Sequence, residues 1–149
     1  ASAQVRRAAV AAMRRVAPLD DPGAVAALAA RLEDSSAEVR SQAAEALADI
    51  ISNGNMNALM MVSFRLQHAE PCVRLSGVDA LHWMAVVRWG GKVCDAAGTI
   101  EESGVPMLVA AVCCSLEEDP SASVRRAAML MICSVAKPAT LETLLPICA

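Results

Sequence analysis

The sequence has 149 residues, a formal net charge of −3, and 56% hydrophobic residues, but only 2% aromatic residues. This length is enough to bury a core, and the negative charge argues against general nucleic-acid binding, which requires a basic surface. Ala, Val, Leu and Met make up most of the apolar residues, and they suit closely packed helices better than sheets. No stretch approaches the roughly 18 apolar residues of a transmembrane helix.

Four segments along the chain repeat one pattern of apolar residues. They align on the pairs Val5–Arg6, Val39–Arg40, Val73–Arg74 and Val124–Arg125. After each Val, apolar or small residues recur at the fourth, seventh, eighth and eleventh positions, which is the spacing of one helix face. The small residue at the fourth position would let a neighbouring helix approach closely; these residues are Ala9, Ala43, Gly77 and Ala128.

A second apolar pattern precedes three of these segments. It comprises Val25, Leu28, Ala29 and Leu32, then Leu59, Val62, Ser63 and Leu66, then Val109, Val112, Cys113 and Leu116. Pro22 and Pro106 fall near the first turn of this pattern, where proline costs no hydrogen bond. The linkers carry turn and N-cap residues, so each unit is predicted to be a helix, a short turn and a second helix.

Successive Val-Arg pairs at residues 5, 39 and 73 lie 34 residues apart, and a two-helix unit of this period predicts a solenoid. The predicted organisation is a half-repeat at 1–17, repeats at 18–52, 53–88 and 104–137, an insertion at about 85–103, and a half-repeat at 138–149. Neither end has a polar cap, so we expect more chain or a partner to cover both.

The sequence resembles the HEAT-repeat family, including its short HEAT-like variants, and armadillo repeats are near neighbours. The resemblance rests on the pattern "VRxxAxxAL" in the second helices, an Asp in the preceding turn, and "GVPMLVAAV" at the start of a first helix. It implies an all-α, right-handed solenoid of antiparallel helix pairs. It also implies a ladder of partly exposed Asp–Arg pairs, in which an Asp can bind the Arg of its own repeat or of an adjacent repeat. In this scheme Asp34 binds Arg40 and Asp119 binds Arg125, while His68 occupies the slot for Arg74.

The insertion at 85–103 has two interpretations. It is either a tolerated surface loop or an element that docks a partner, because long loops in compact repeats are often functional. The candidate docking residues are Arg88, Trp89, Lys92, Val93 and Cys94. Trp83 falls beside the apolar stripe and is predicted to be structural.

The strongest charge feature is a basic cluster formed by Arg6, Arg7, Arg14 and Arg15. It is either a solvated helix face or a docking patch for an acidic protein or an anionic lipid surface. Nucleic acid is the weaker alternative, because aromatic residues for base stacking are missing.

The sequence shows no catalytic constellation. His68 and His82 are the only histidines, and we expect no metal, no cofactor and no small-molecule substrate. The six cysteines are predicted to be reduced and mostly buried, with Cys94 in an exposed loop, which indicates an intracellular, reducing compartment such as the cytoplasm or an organelle stroma.

These observations favour a non-catalytic scaffold or a peripheral subunit of a larger assembly, binding proteins through the solenoid surface and the insertion. One alternative is a structural subunit of a plastid or photosynthetic membrane complex, associated peripherally and without a transmembrane segment. A second alternative, implied only by the resemblance, is a HEAT-like pigment-attachment factor similar to bilin lyases.

Overall fold

The structure is a computed structural model that describes residues 1–52, 55–85, 112 and 119–135. Within these ranges the chain contains no strand, and the prediction of an all-α fold is confirmed. The helices are α1 (Ala3–Val16), α2 (Pro22–Arg31), α3 (Ala37–Ile50), α4 (Met56–Ser63), α5 (Pro71–Trp83) and α6 (Ala122–Val135). A 3₁₀ turn, Phe64–Gln67, directly follows α4.

Polar side chains define where several of these helices begin. The Ser2 hydroxyl accepts a hydrogen bond from the Val5 backbone N–H, and the Asp21 carboxylate accepts one from Ala24. Asn55 does the same for Ala58 at the start of α4. Each bond satisfies a backbone donor that has no partner within its own helix. The linkers before α3 and α5 are predicted to carry N-cap residues, but Ser36 and Glu70 at those helix starts form no capping side-chain bond.

The helices form two layers. α1, α3, α5 and α6 pack side by side in chain order, and α2 and α4 pack behind α3 and α5 respectively. We call α1, α3, α5 and α6 the inner helices. The side chains between the layers form one core, which contains Leu28 and Leu32 of α2, Leu47 of α3, Leu59 of α4 and Leu81 of α5.

The aligned apolar columns are buried in the middle of the chain but not at α1. Val39 of α3 is 0% exposed, whereas Val5 and Val16 of α1 are 59% and 78% exposed. No described helix covers this face of α1, and the expectation that more chain or a partner covers it stays a prediction. α1 buries Val10 and packs against α3.

An aspartate ties the end of α3 to the start of α4. Asp20 has a positive φ of 59°, and its backbone N–H donates to the Ile50 carbonyl oxygen at 2.7 Å. Its carboxylate accepts hydrogen bonds from the Ser52 backbone N–H at 2.9 Å, from the Ser52 hydroxyl, and from Asn55 Nδ2 at 2.7 Å. Three groups of the link between α3 and α4 therefore bind one carboxylate, which fixes the start of α4 relative to the turn before α2.

The division into repeats at 18–52, 53–88 and 104–137 stays a prediction, as does the half-repeat at 138–149. Most of the insertion at 85–103 and all of 138–149 lie outside the described residues. Among the helices described, none has the length and apolarity needed to cross a membrane.

Gly77 in α5 permits a close helix contact. A Cβ atom at this position would lie 3.2 Å from Arg65 Cβ and 3.2 Å from Leu66 Cδ2, both in the 3₁₀ turn. Ala43 occupies the aligned position in α3. Glycine at position 77 leaves room for the 3₁₀ turn that follows α4.

We predict that Gly77→Val lowers the free energy of unfolding by about 2 kcal/mol, because the new side chain overpacks the contact with the 3₁₀ turn. Helix propensity alone would favour Val slightly over Gly, so the sign of the effect separates the two causes. Urea denaturation followed by far-ultraviolet circular dichroism measures it. An unchanged or higher free energy of unfolding would show that the contact is not tight.

Candidate partner-binding surface

Two Arg–Asp forks with buried carboxylates connect successive inner helices. Arg6 of α1 binds Asp34, in the turn before α3, through Nε–Oδ2 and Nη2–Oδ1 contacts of 2.7 Å each. Arg74 of α5 binds Asp119, in the turn before α6, through Nε–Oδ2 at 2.7 Å and Nη2–Oδ1 at 2.9 Å. The Asp34 and Asp119 side chains are only 3% and 4% exposed. Each arginine therefore binds the aspartate of the unit that follows it.

This geometry corrects the predicted ladder. Asp34 does not pair with Arg40 through its carboxylate, and Asp119 does not pair in that way with Arg125. Instead, Arg40 Nη1 and Arg125 Nη1 donate to the main-chain carbonyl oxygens of those aspartates, each at 2.7 Å. The reason lies in the turn, where each carboxylate accepts a backbone N–H two residues ahead and so faces the preceding unit.

Two further features of the predicted ladder are wrong. The Arg74–Asp119 pair is buried, with side chains 9% and 4% exposed, and is not partly exposed as the resemblance implied. His68 does not interrupt the pairing of Arg74, because Arg74 binds the aspartate of the unit after it. His68 occupies the aspartate position of its own turn, which follows Arg40 along the chain.

The forks shift the pKa values of their groups in the direction that favours ion pairing. The hydrogen bond from Arg6, opposed by burial, holds the pKa of Asp34 at about 2, below its ordinary value of 3.8. The hydrogen bond from Arg74 likewise lowers the pKa of Asp119, and the same bonds raise the pKa of each arginine. Both aspartates are therefore ionised over the whole physiological range.

The basic cluster divides between internal pairs and the surface. Arg6 is held in its fork, and Arg14 of α1 binds two acids of α3, Asp49 at 2.5 Å and Glu45 at 2.9 Å. Arg7 and Arg15 are exposed and form no hydrogen bond or ion pair with the described residues. A docking patch at the predicted cluster remains a prediction that depends on Arg7 and Arg15.

At the other end of the inner layer, three side chains form an open surface on α5 and α6. Asp79 and Trp83 lie one turn apart on α5, and Leu130 of α6 aligns with Asp79 in the repeat pattern. Trp83 is 38% exposed and Leu130 is 64% exposed. A 3.3 Å hydrogen bond between His82 Nδ1 and Ser134 Oγ joins the two helices beside this surface. We call Asp79, Trp83 and Leu130 the open surface.

The carboxylate of Asp79 has no hydrogen bond or ion pair within the described parts of the chain. Burial by the surrounding protein raises its pKa, and the nearby charge of His82 opposes that shift. The Asp79 side chain is itself exposed, so a cationic group of a partner can reach and pair with its carboxylate. Sequence reasoning missed this residue, because nothing in the pattern marks an acid at this position as unpaired.

Trp83 is also placed differently from the prediction. The sequence assigns it to the structural core, but more than a third of it reaches solvent on the inner helix layer. It lies ten positions after Val73, where the aligned residues Arg15, Asp49 and Ser134 are polar. That polar column was the signal that marks the position as a surface one.

The remaining candidate residues Arg88, Trp89, Lys92, Val93 and Cys94 lie outside the described residues. Two other cysteines can be placed, and the remaining three lie outside the described residues, so the expectation of mostly buried thiols stays a prediction. Cys72 and Cys133 are free and exposed. Within the described ranges, no three His, Cys, Asp or Glu side chains are grouped as a metal site would require.

Comparison with known protein families gives one match. The family model described as HEAT repeat matches residues 24–54, a span that contains most of α2 and all of α3. Comparison with curated proteins gives no match. The family match supports the resemblance found in the sequence, and the matched residues include the turn that carries Asp34.

We predict that Arg74→Ala lowers the free energy of unfolding by about 3 kcal/mol, because it leaves the Asp119 carboxylate buried and unpaired. Arg14→Ala is the matched control, since Arg14 also binds two carboxylate oxygens but its side chain is 41% exposed. Exposed pairs contribute less than about 1 kcal/mol. Urea denaturation of both variants measures the difference, and equal losses would contradict the assignment of the buried fork.

The acid side of the stability profile should depend on Asp34. Its pKa is lower in the folded chain than in the unfolded chain, so its contribution is fully present above the ordinary value of 3.8 and is lost as the pH falls toward about 2. We predict that Asp34→Asn flattens the decrease in free energy of unfolding between pH 5 and pH 2. Urea denaturation across that range measures it, and parallel curves for both proteins would refute the prediction.

Proposed function

Because residues 24–54 are a HEAT repeat, we propose that this chain is a non-catalytic scaffold that binds a protein partner along its inner helices. HEAT repeats generally mediate protein–protein interaction, which supports a protein partner. In this proposal the helix pairs continue as a right-handed solenoid over the predicted repeats, and the inner helices form its binding face. The free, exposed thiols of Cys72 and Cys133 support a reducing compartment.

The observation that carries the proposal is the open surface. In the α1–α3 half of the inner layer, Arg14 already pairs with both Glu45 and Asp49. In the α5–α6 half, Asp79 is unpaired beside exposed Trp83 and Leu130. An indole and an aliphatic side chain supply contact area, and protein interfaces favour such anchors next to a charge that fixes orientation.

The chemistry of the open surface indicates the kind of partner. A Lys or Arg side chain would pair with the Asp79 carboxylate and could also lie over the Trp83 ring as a cation–π contact. An apolar side chain beside it would bury Leu130. The partner segment in this proposal therefore carries a basic residue flanked by apolar residues.

A permanent place in a larger assembly is the second form of the proposal. The uncovered face of α1 favours it, because Val5 and Val16 are exposed at positions whose equivalents in α3 are buried. A plastid membrane complex is one such assembly.

Site-specific photo-crosslinking in the native source tests the proposal. A benzoylphenylalanine placed at Trp83 or at Leu130 should form a cross-link to one recurring protein, whereas the same group at Ala30, exposed on the opposite layer, should not. We further predict that Asp79→Lys lowers the affinity for that cross-linked protein about tenfold, through repulsion of its basic residue.

Equal labelling at Ala30 and at Trp83 would contradict a specific inner face. Tight binding that is unchanged by Asp79→Lys would contradict the basic partner segment. Circular dichroism of each variant confirms that the fold is retained, so loss of binding reflects the surface and not unfolding.

A further inference from the structure

The ladder of Arg–Asp forks lacks one member, at Arg40. Arg6 binds Asp34, which lies 28 residues further along the chain. The residue at the same distance after Arg40 is His68. The arginine of the next Val-Arg pair, Arg74, again binds an aspartate. The structure therefore contains a fork on each side of a position where the carboxylate is replaced by an imidazole.

His68 keeps the turn that an aspartate would form but not the charge. Its Nδ1 accepts a hydrogen bond from the Glu70 backbone N–H at 3.1 Å. Asp34 and Asp119 accept the equivalent bonds from Ser36 and Ser121 at 2.9 and 2.8 Å. Because Nδ1 is an acceptor, the proton of the neutral ring is on Nε2, and His68 offers no anionic oxygen to Arg40.

Arg40 is held in the same way as Arg74, which does have a carboxylate partner. Arg40 Nη1 donates to two main-chain oxygens of its turn, at 2.7 and 3.3 Å. Arg74 Nη1 donates to the two equivalent oxygens of its own turn, each at 2.8 Å. A guanidinium group is planar, so these bonds also orient the opposite edge, which carries Nε and Nη2.

That edge of Arg74 binds Asp119, whereas the edge of Arg40 has no acceptor within the described ranges. Neither Nε nor Nη2 of Arg40 is among the buried side-chain atoms that lack a partner in the described residues, so this edge reaches solvent. Glu38 lies close enough to interact with the charge of Arg40, but its carboxylate accepts a 2.5 Å hydrogen bond from the Ser36 hydroxyl. Two oriented N–H donors of Arg40 are thus left without a bonded carboxylate.

We propose that the Nε–Nη2 edge of Arg40, beside His68, binds a carboxylate of an acidic side chain in the partner protein. The partner's carboxylate would complete the missing fork from outside, as Asp34 and Asp119 complete the neighbouring ones from inside. The guanidinium edge matches the two oxygens of a carboxylate and is fixed before the partner arrives, which lowers the cost of binding. The protein nature of the partner rests on the proposed function, but the anion site itself does not.

Nuclear magnetic resonance of the arginine Nε–Hε groups in the full chain tests the site directly. Sodium acetate, titrated against sodium chloride at constant ionic strength, should shift the Arg40 resonance along a saturating curve. Arg74 is the internal control, because its edge is occupied by Asp119 and should not respond. Arg40→Lys assigns the signal by removing it.

His68→Asp is the decisive variant, since it supplies the missing carboxylate from within the chain. The Arg40 resonance should then stop responding to acetate, and the urea midpoint should rise. Equal responses of Arg40 and Arg74, or none at Arg40, would overturn the site. A response to inorganic phosphate at much lower concentration than to acetate would overturn the assignment to a carboxylate.

The second measurement uses the protein identified by photo-crosslinking at Trp83. His68→Asp should weaken its binding about tenfold, because the internal carboxylate displaces that of the partner. Unchanged binding would overturn the partner's use of this site. If no partner is cross-linked while Arg40 still responds to acetate, the result contradicts the proposed function but supports the anion site at Arg40.

Discussion

In the described part of the chain, the apolar columns are buried only where neighbouring helices cover them, and the packing follows from that constraint. Val39 on α3 is fully buried because α2 lies behind it and α1 and α5 lie on either side. Val5 occupies the same position on α1, has no helix behind it among the described residues, and is 59% exposed. Burial of these columns therefore depends on contacts between successive helix pairs.

The Arg–Asp forks fix how the packed helix pairs are oriented relative to one another. A hydrophobic contact between helices is non-directional, whereas a fork requires both atoms of a guanidinium edge to meet both oxygens of one carboxylate. Because Arg6 and Arg74 each reach into the turn of the next unit, a fork forms only when the two units are in register. The backbone oxygens bound by Arg40 and Arg125 fix the same turns from the other side.

The internal pairing of charges also decides what is left for a partner. Arg6 and Arg14 belong to a basic cluster in the sequence, yet both bind acidic side chains of the chain itself. The groups that remain open are less conspicuous in the sequence: the carboxylate of Asp79, and one edge of Arg40. A charged side chain can bind a partner only if no neighbour in the fold already pairs with it. A count of charges along the sequence does not show which side chains are paired.

The amino-acid pattern was sufficient for the helices and the core residues of α3 and α5, because these depend on neighbours within one or two helical turns. It was not sufficient for the helix caps, the direction of the forks, the solvent exposure of Trp83, or the exposed thiols of Cys72 and Cys133. Spacing places a side chain on one face of its own helix. Which helix, turn or solvent that face meets is decided by how the units stack, so only the folded chain shows that Asp34 binds backward to Arg6 and that Arg40 is left without a carboxylate.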